Sequence, residues 1–297
     1  MCSEQDEDTV TPDHESIPAL LKRHGLWAKK SLGQHFLLDQ TALDKIVAAG
    51  ELTPQDTVLE IGPGPGPLTR RLATAAGRVI AVEVDTRMVE LLRSEVAVGL
   101  PVTVVHGDIL QVDLADLMTE QGVSDYKVVA NLPYYITSAV LRHILEARLK
   151  PSRVVVLVQR EVAERMVARP PDMSLLSVSV QLYGAPRIVA RVPPGAFYPP
   201  PKVESAVVRI EVYPQPAANV TDVEDFFEVV RAGFGQKRKQ LRNSLSQGLR
   251  RPAAEIDQAL HAAGIAPTRR AETLTLEEWA ALQKRLTTED EGRKTED

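Results

Sequence analysis

Four consecutive residues at the end of an apolar run, Asn131-Leu132-Pro133-Tyr134, combine groups that could hold a planar amine. The apolar residues 128–130 predict a buried strand that stops at this point. Pro133 cannot donate to a β-ladder and favours an extended conformation at Leu132. The Asn131 amide and the Leu132 carbonyl would then face a cleft at the carboxyl end of the strand, beside the ring of Tyr134. Two hydrogen-bond acceptors and an aromatic face suit the exocyclic amine of a planar base.

A glycine loop, Gly62-Pro63-Gly64-Pro65-Gly66-Pro67, lies earlier in the chain between a predicted strand and a predicted helix. Glycines there let the backbone approach a ligand and turn into the helix without a Cβ clash. The dinucleotide-binding pattern G-x-G-x-x-G would need glycine at position 67, where this chain has proline. The sequence also contains no G-x-x-x-x-G-K-[ST] phosphate-binding loop. The spacing G-x-G-x-G after Glu60 is instead similar to the first motif of S-adenosylmethionine-dependent methyltransferases.

Two acidic residues follow the next two predicted strands. Glu83 ends one of them, and a carboxylate there can accept hydrogen bonds from both hydroxyls of a ribose. Asp108 follows the other and could accept a hydrogen bond from a cofactor's adenine amine. The carboxyl ends of parallel strands meet at one edge of an open α/β sheet, which is where such sheets bind ligands. The glycine loop, the two acids and Asn131 together therefore predict a methyltransferase.

The sheet that would hold these residues is predicted from alternating helix and strand patterns. Strands are expected at 57–61, 78–84, 102–105, 128–131 and 154–158, and helices at 41–49, 68–76, 87–95, 138–147 and 161–168. Continuous apolar strands separated by helices indicate a parallel sheet covered on both faces. Two more strand-like runs, 178–182 and 206–212, have no normal helix between them and would end the sheet as an antiparallel pair. The predicted fold class is α/β, with a Rossmann-like sheet.

A small all-helical C-terminal domain is predicted after the prolines at 214 and 216. Its helices are expected at 223–232, 239–249, 253–263 and 276–286, the last of them opened by a capping box of Thr275 and Glu278. A further helix is expected near the N-terminus at 17–27. We divide the chain into an acidic disordered tail at 1–18, a catalytic domain at 19–213, a helical domain at 217–287 and a second disordered tail at 288–297.

The charge is distributed unevenly along the chain. The first 18 residues have six acids and no base, and residues 287–297 have five acids and two bases. The rest of the chain therefore has a net charge of +4, although the whole has −5. Seven basic residues and no acidic one lie between 231 and 251: Arg231, Lys237, Arg238, Lys239, Arg242, Arg250 and Arg251. A polyanionic partner is expected for this part of the chain.

Composition limits the remaining classes of protein. No apolar run is long enough to span a bilayer, and the acidic N-terminus does not resemble a signal peptide. The single cysteine, Cys2, lies in the predicted tail, so neither disulfides nor a thiolate nucleophile is expected. We expect a cytoplasmic protein with no membrane partner and no metal site, and a monomer by default.

Taken together, these motifs resemble the bacterial 16S ribosomal RNA adenine dimethyltransferases, which convert two adjacent adenines to N6,N6-dimethyladenines. The resemblance extends from about Lys29 to Leu286. It rests on the segments 31–37 (Ser-Leu-Gly-Gln-His-Phe-Leu), 60–69, Glu83, 107–110, 131–136 (Asn-Leu-Pro-Tyr-Tyr-Ile), 159–165, 193–208 and 237–243 (Lys-Arg-Lys-Gln-Leu-Arg-Asn).

The resemblance implies a role for each matching position. S-adenosylmethionine would be the cofactor, bound by His35, Leu37, Gly62, Glu83, Asp108 and Asn131. Residues 131–134 would be catalytic, and Tyr134 and Phe197 would stack on the two faces of the target adenine. Lys237, Arg238, Lys239 and Arg242 would bind RNA phosphates, which makes 217–287 an RNA-binding domain. The implied partner is 16S rRNA in a precursor of the 30S subunit.

Three alternatives remain open. Dimethylation of a 23S rRNA adenine, as in antibiotic resistance, shares the glycine loop and N-x-P-Y, although the 33–37 segment and the proline-rich 193–201 loop match the small-subunit group better. A DNA adenine methyltransferase would more typically have (D/N/S)-P-P-(Y/F), whereas Leu132 stands before Pro133 here. A ribosome-assembly factor or a transcription factor that keeps the fold would bind RNA or DNA with little catalysis.

Overall fold

The computed structural model describes residues 16–29, 33–220 and 222–294, with side chains described as far as residue 287. Its strands are β1 (Phe36–Leu37), β2 (Thr57–Ile61), β3 (Arg78–Glu83), β4 (Val102–His106), β5 (Lys127–Asn131), β6 (Arg153–Gln159), β7 (Gly184–Val192), β8 (Phe197–Tyr198) and β9 (Ser205–Val212). Seven of these form one sheet in the order β4-β3-β2-β5-β6-β9-β7. The neighbouring strands β4, β3, β2, β5 and β6 are parallel, and β9 is antiparallel to both β6 and β7. The predicted α/β fold is confirmed.

Apolar residues cover both faces of the parallel strands. In β5, Val128 and Ala130 pack into one core with helix residues such as Met118, whereas Val129 packs into the other with Leu72. Because successive side chains of a strand point to opposite faces, a strand buried on both sides must be apolar throughout. This burial explains why the interior positions of β5 and β6 are all Val, Leu or Ala.

The described chain has twelve α-helices. Eight of them precede or alternate with the strands, and the last four come after β9. The twelve are α1 (Ile17–Arg23), α2 (Gln40–Gly50), α3 (Pro67–Ala75), α4 (Thr86–Leu91), α5 (Leu114–Glu120), α6 (Thr137–Leu145), α7 (Arg160–Val167), α8 (Leu175–Gln181), α9 (Val223–Phe234), α10 (Leu241–Leu249), α11 (Ala253–Ala262) and α12 (Leu276–Lys294). Asp39, Asp85, Asp113 and Asp222 accept hydrogen bonds from backbone N–H groups at the starts of α2, α4, α5 and α9. Such caps satisfy donors that the helix itself leaves unpaired. None of the helices in the described ranges has the length and apolar character that crossing a membrane would require.

The two shortest strands join distant parts of the chain. β1 and β8 pair antiparallel, with Phe36 opposite Tyr198 and Leu37 opposite Phe197. This pairing places the segment before β1 against the proline-rich loop around β8. It also brings both segments close to the carboxyl edge of the large sheet, because His35 contacts Asn131 there.

The chain beyond β9 is helical in the described residues. The predicted capping box is present, since Thr275 accepts from the N–H of Glu278 and Glu278 accepts from the N–H of Thr275. Trp279 is fully buried in the same core as Phe226 and Leu245. The last helix continues to Lys294, past the boundary at 287 that the sequence predicted.

One predicted strand is wrong. Residues 178–181 lie in α8 and Leu182 is its C-cap; the side chains of Ser174 and Ser177 form a capping box that starts the helix. The valines of this run favour a strand by local propensity, but helix initiation and burial override that preference. The antiparallel partner of β9 is instead β7, which begins at Gly184.

Three further elements differ from the sequence-based prediction. Strand β7 was not predicted because its apolar pattern is interrupted by Pro186 and by the exposed residues Arg187 and Arg191. A strand can contain such residues when it lies at the edge of a sheet, as β7 does. Helix α5 was not predicted. The helix expected at 239–249 begins at Leu241, which leaves the basic residues 237–239 in the preceding turn.

Candidate active site

A cavity of about 340 Å³ lies at the carboxyl edge of the parallel strands. Its wall includes the residues that sequence reasoning placed at the ends of four strands, namely Gly62, Glu83, Asp108 and Asn131, together with Tyr134 and residues 33–36. The volume falls within the range of about 300–1,000 Å³ that is typical of small-molecule sites. The fold therefore brings most of the predicted site residues together.

Two glycines shape the floor of the cavity. Gly64 has φ +58°, and a Cβ there would lie 2.9 Å from the side chain of Phe36, so no larger residue fits without a shift. Gly62 has φ +66°, and a Cβ there would meet only Pro133, at 3.9 Å. Gly62 consequently leaves open space on the side of the cavity where a ligand would approach its backbone.

Glu83 is a buried carboxylate at the end of β3. Its Oε2 accepts from the N–H of Gly64 at 3.0 Å, and its Oε1 accepts from the N–H groups of Val84 and Asp85, both at 2.9 Å. Burial raises the pKa of Glu83, although these three N–H groups act in the opposite direction. A carboxylate has about four acceptor sites, so Glu83 retains capacity for a further donor such as a hydroxyl.

Asp108 follows β4, the edge strand that pairs with β3. Its Oδ1 accepts from the N–H of Leu110 at 3.0 Å, and its Oδ2 has no hydrogen-bond partner among the described residues. Val84, Ile109 and Leu110 provide apolar wall next to it. An acceptor beside apolar side chains suits a planar ring with an amine at its edge, such as adenine.

Asn131 and Leu132 end β5 at the centre of the cavity. Nδ2 of Asn131 donates to the carbonyl of His35 at 3.0 Å, which leaves Oδ1 as the atom available to a ligand. Leu132 is buried, and its N–H donates to the carbonyl of Leu157 at 3.2 Å. Within the described residues, no hydrogen bond uses the carbonyl of Leu132. Two acceptors are therefore present where the sequence predicted them.

Tyr134 is held from two sides. Its hydroxyl lies 2.7 Å from the hydroxyl of Ser205, and its ring stacks on the ring of His35 with centroids 5.7 Å apart and an interplanar angle of 24°. Burial raises the pKa of Tyr134, while the bond to Ser205 acts in the opposite direction. The phenol is thus a fixed, neutral aromatic surface at neutral pH.

Two predicted site residues lie away from the cavity. Leu37 and Phe197 face each other across β1 and β8 and are 2% and 4% exposed. Both pack into the core with Leu43 and Ile46 of α2. The structure therefore places Phe197 as a core residue and not as an exposed partner for a base.

The sequence did not predict an ion pair that adjoins the wall residues Gln34 and Val84 of the cavity. Nζ of Lys29 lies 3.1 Å from Oδ2 of the buried Asp85, and the N–H of Lys29 donates to the side chain of Gln34 at 2.8 Å. Burial would raise the pKa of Asp85, but hydrogen bonds from Arg87 and Lys29 lower it overall. The only signal in the sequence was an acid two residues after Glu83, which a helix cap explains equally well.

The basic segment, residues 231–251, lies beside a second cavity of about 720 Å³. Helix α7 and the loop before α8 also line that cavity. Basic side chains along it are Arg165, Arg231, Lys237 and Lys239, and acids are also present at Glu161, Asp172 and Glu272. Arg242, by contrast, is paired with Asp257 of α11 at 3.0 Å. No ion pair involves Arg231 or residues 237–239 within the described ranges, so these bases remain available to an anion.

Comparison with known proteins agrees with this geometry. Residues 25–288 match the sequence model of a family described as ribosomal RNA adenine dimethylase. A Dehalococcoides mccartyi (strain BAV1) protein named ribosomal RNA small subunit methyltransferase A is 51% identical over 266 residues, which is 89% of this chain and 90% of the relative. A protein of the same name from Pelotomaculum thermopropionicum is 45% identical over 276 residues, 90% of this chain and 94% of the relative.

Two solved structures share the architecture over most of its length. The 23S rRNA methyltransferase ErmE has a TM-score of 0.65 at 29% identity and covers 85% of this chain and 99% of its own. A dimethyladenosine transferase from Plasmodium falciparum has a TM-score of 0.72 at 24% identity, covering 86% of this chain and 98% of its own. The second likeness concerns the fold alone.

Proposed function

The chain belongs to the ribosomal RNA adenine dimethylase family, and from that premise we propose that it methylates N6 of two adjacent adenosines near the 3′ end of 16S rRNA. The product is N6,N6-dimethyladenosine at both positions. The choice of small-subunit RNA is supported by relatives that are 45–51% identical and named for that subunit. We place the reaction in the cytoplasm, on a precursor of the 30S subunit, with the enzyme acting as a monomer.

The observation that supports this function best is the orientation of the Asn131 amide. Its nitrogen is engaged by the carbonyl of His35, so its oxygen is presented to the cavity beside the ring of Tyr134. With the carbonyl of Leu132, this gives two acceptors for the two hydrogens of an adenine amine.

S-adenosylmethionine fits the remaining groups of the cavity. Glu83 offers a buried acceptor for a ribose hydroxyl, Asp108 an acceptor for an adenine amine, and Gly62 an open approach to the backbone. Bound there, the cofactor supplies a methyl group on positively charged sulfur, which is already strongly electrophilic. The protein therefore does not need to activate the methyl group.

The contribution of the chain is orientation of the nucleophile. The adenine amine is a weak nucleophile because its lone pair is delocalised into the ring. Asn131 Oδ1 and the Leu132 carbonyl accept its hydrogens and direct the lone pair out of the ring plane, which is catalysis by positioning and fixed dipoles. After one transfer a single hydrogen remains, so the amine must rotate before the second.

The target base must leave its stack to reach these acceptors, at a cost of a few kcal/mol. Stacking on Tyr134 offsets this by about 1–3 kcal/mol. Phe197, to which the resemblance assigns the second stack, is buried in the core. Our proposal therefore assigns the stacking to Tyr134 and treats Phe197 as support for the β1–β8 pair.

The RNA itself would be bound through the helical part of the chain at 217–287. Lys237, Arg238 and Lys239 lie in an exposed turn with no acidic partner among the described residues, which suits contacts with phosphates. Arg242 could join them only by giving up its pairing with Asp257.

A second candidate is dimethylation of 23S rRNA, favoured by the likeness to ErmE. A methyl-acceptor assay separates the two. Labelled cofactor is offered with unmethylated 30S subunits, naked 16S rRNA, 23S rRNA or DNA, and Asn131→Ala serves as the inactive control. We expect incorporation of methyl groups into small-subunit RNA and a loss of about a hundredfold or more in the variant. Incorporation into 23S rRNA alone would establish the rival.

A role in assembly without catalysis is tested in cells. If Asn131→Ala restores subunit maturation to a strain that lacks the enzyme, binding and not methylation is what maturation requires. If it does not, the methyl groups themselves matter.

A further inference from the structure

His35 contacts three parts of the site at once. Its carbonyl accepts from Nδ2 of Asn131 at 3.0 Å, and its ring stacks on Tyr134. Its Nδ1 lies 2.7 Å from the carbonyl of Pro199, in the loop after β8. One partly buried residue therefore connects the end of β5, the turn that follows it and the proline-rich loop.

The first contact determines how the Asn131 amide is turned. A carbonyl oxygen can only accept, so the amide group that faces it must be the NH₂ and not the oxygen. If the carbonyl of His35 moved away, both orientations of the amide would become possible. In one of them the NH₂ would point to the substrate amine and repel it.

The contact with Pro199 holds the carbonyl of His35 in place. The carbonyl of Pro199 can likewise only accept, so Nδ1 of His35 carries a hydrogen. The side chain of His35 is thereby anchored to a segment that β1 and β8 already bring close.

The stacking of His35 on Tyr134 leaves the ring of Tyr134 with one accessible face. At a centroid distance of 5.7 Å and an angle of 24°, no third ring fits between His35 and Tyr134. A base that stacks on Tyr134 must use the opposite face. The hydroxyl of Tyr134 is held by Ser205, so the ring cannot easily swing away from His35 to expose the covered face.

We infer that His35 is a positioning residue for the target adenine, which fixes the direction of the Asn131 amide and restricts Tyr134 to one stacking face. This role goes beyond lining the cofactor cavity, and it rests on the proposed function. It predicts that losing the side chain impairs methyl transfer more than cofactor binding.

Three variants separate the contributions of the side chain. His35→Ala removes the anchor and the ring, His35→Asn keeps a donor for the Pro199 carbonyl, and His35→Phe keeps only a ring. His261→Ala, at an exposed position of α11, is the matched control. For each protein, cofactor affinity is measured by calorimetry, folding by thermal unfolding, and methyl transfer by single turnover on small-subunit RNA.

We expect His35→Ala to slow methyl transfer by about tenfold to a hundredfold, the effect of a small misplacement of reacting groups, while cofactor affinity changes by less than about threefold. His35→Asn should recover most of the rate, and His35→Phe should recover less. In the Asn131→Ala background, His35→Ala should slow methyl transfer by less than it does in the wild type, because part of its effect acts through Asn131.

Parallel losses of affinity and rate in His35→Ala would overturn the inference, since they would make the residue only a wall of the cofactor cavity. Independent, multiplying effects of the His35 and Asn131 substitutions would also overturn it. If His35→Ala does not fold, His35→Asn and His35→Phe still decide the question by their difference. Failure of the wild type to methylate small-subunit RNA would refute the proposed function instead, and this outcome is recognised before any variant is compared.

Discussion

The hydroxyl of Tyr134 lies 2.7 Å from the hydroxyl of Ser205, a fully buried residue at the start of β9. Tyr134 follows β5, and β9 is separated from β5 in the sheet only by β6. The ring that is proposed to receive the target base is thus fixed to the rigid sheet through its own hydroxyl. Removing either hydroxyl tests whether this attachment matters.

We expect Ser205→Ala to slow methyl transfer by about fivefold, the kinetic equivalent of a hydrogen bond of about 1 kcal/mol. Tyr134→Phe should have a similar effect, and combining the two should add nothing, because each removes the same bond. Tyr134→Ala should be much slower, since the stacking surface itself is lost. Single-turnover rates on small-subunit RNA provide the measurement, and additive effects of the two conservative substitutions would count against the attachment.

Cofactor affinity should depend on pH through Glu83. Only the carboxylate can accept a hydrogen bond at every oxygen, and burial raises the pKa of Glu83 above the ordinary 4.5. Affinity should therefore be constant above this raised pKa and fall by up to about tenfold for each pH unit below it. Calorimetric titration with S-adenosylmethionine across this range measures the effect.

The matched comparison for Glu83 is Asp108→Asn, which removes a charge from the exposed side of the same cavity. That variant should bind the cofactor more weakly at every pH but retain the decline that Glu83 causes. Affinity that stays flat in the wild type down to pH 4.5 would show that Glu83 does not hold the cofactor.

A second buried acid, Glu60, should affect stability and not binding. Glu60 is 1% exposed, and burial raises its pKa to about 8, with the negative charge of Glu83 acting in the same direction. A raised pKa means that the folded state binds the proton more tightly than the unfolded state. Its stabilising contribution is then complete below pH 4.5 and is lost as the pH rises towards 8.

We expect Glu60→Gln to remove this part of the pH dependence. Between pH 5 and pH 8 the free energy of unfolding of the wild type should fall by up to about 1.4 kcal/mol per pH unit relative to the variant. Thr69→Val, which changes a buried neighbour in α3 but keeps Glu60, should retain the slope. Urea unfolding at several pH values measures it, and identical slopes for Glu60→Gln and the wild type would contradict the assignment.

The edge of the sheet was predictable from the sequence because strand ends, glycine spacing and acids are local signals. Glu83, Asp108 and Asn131 reach one cavity since consecutive parallel strands must present their carboxyl ends together. The contacts that hold Asn131, Tyr134 and Asp85 were not predictable. The carbonyl of His35, the hydroxyl of Ser205 and the ammonium of Lys29 come from segments far apart in the chain, and no periodicity records such pairs.

The differences between the structure and the sequence-based expectations have a similar physical origin. Residues 178–182 have the composition of a strand, and only the capping box at Ser174 reveals a helix. Phe197 was expected to face a base only because the family resemblance assigns it that role. Its pairing opposite Leu37 instead turns it into the core, and this register depends on tertiary contacts.

Arg231 of α9 and the lysines of the turn at 237–239 should contribute to RNA affinity through phosphate contacts. Lys237, Lys239 and Arg231 line one cavity and have no acidic partner in the described chain, whereas Arg242 is paired with Asp257. For single-stranded RNA, each phosphate contact contributes about −0.7 to the slope of log affinity against log salt concentration. Changing these three residues to Gln should therefore make the slope shallower by about 2.

Two controls make this measurement specific. Arg148→Gln removes one positive charge, as Lys237→Gln alone does, at an exposed site paired with Asp113 and Asp116, away from the second cavity, and should leave the slope unchanged. Arg242→Gln should change it less than Lys237→Gln, because an arginine already paired with a carboxylate has to break that pair before it binds a phosphate. Equal effects of all these substitutions would mean that overall charge, and not this turn, determines RNA binding.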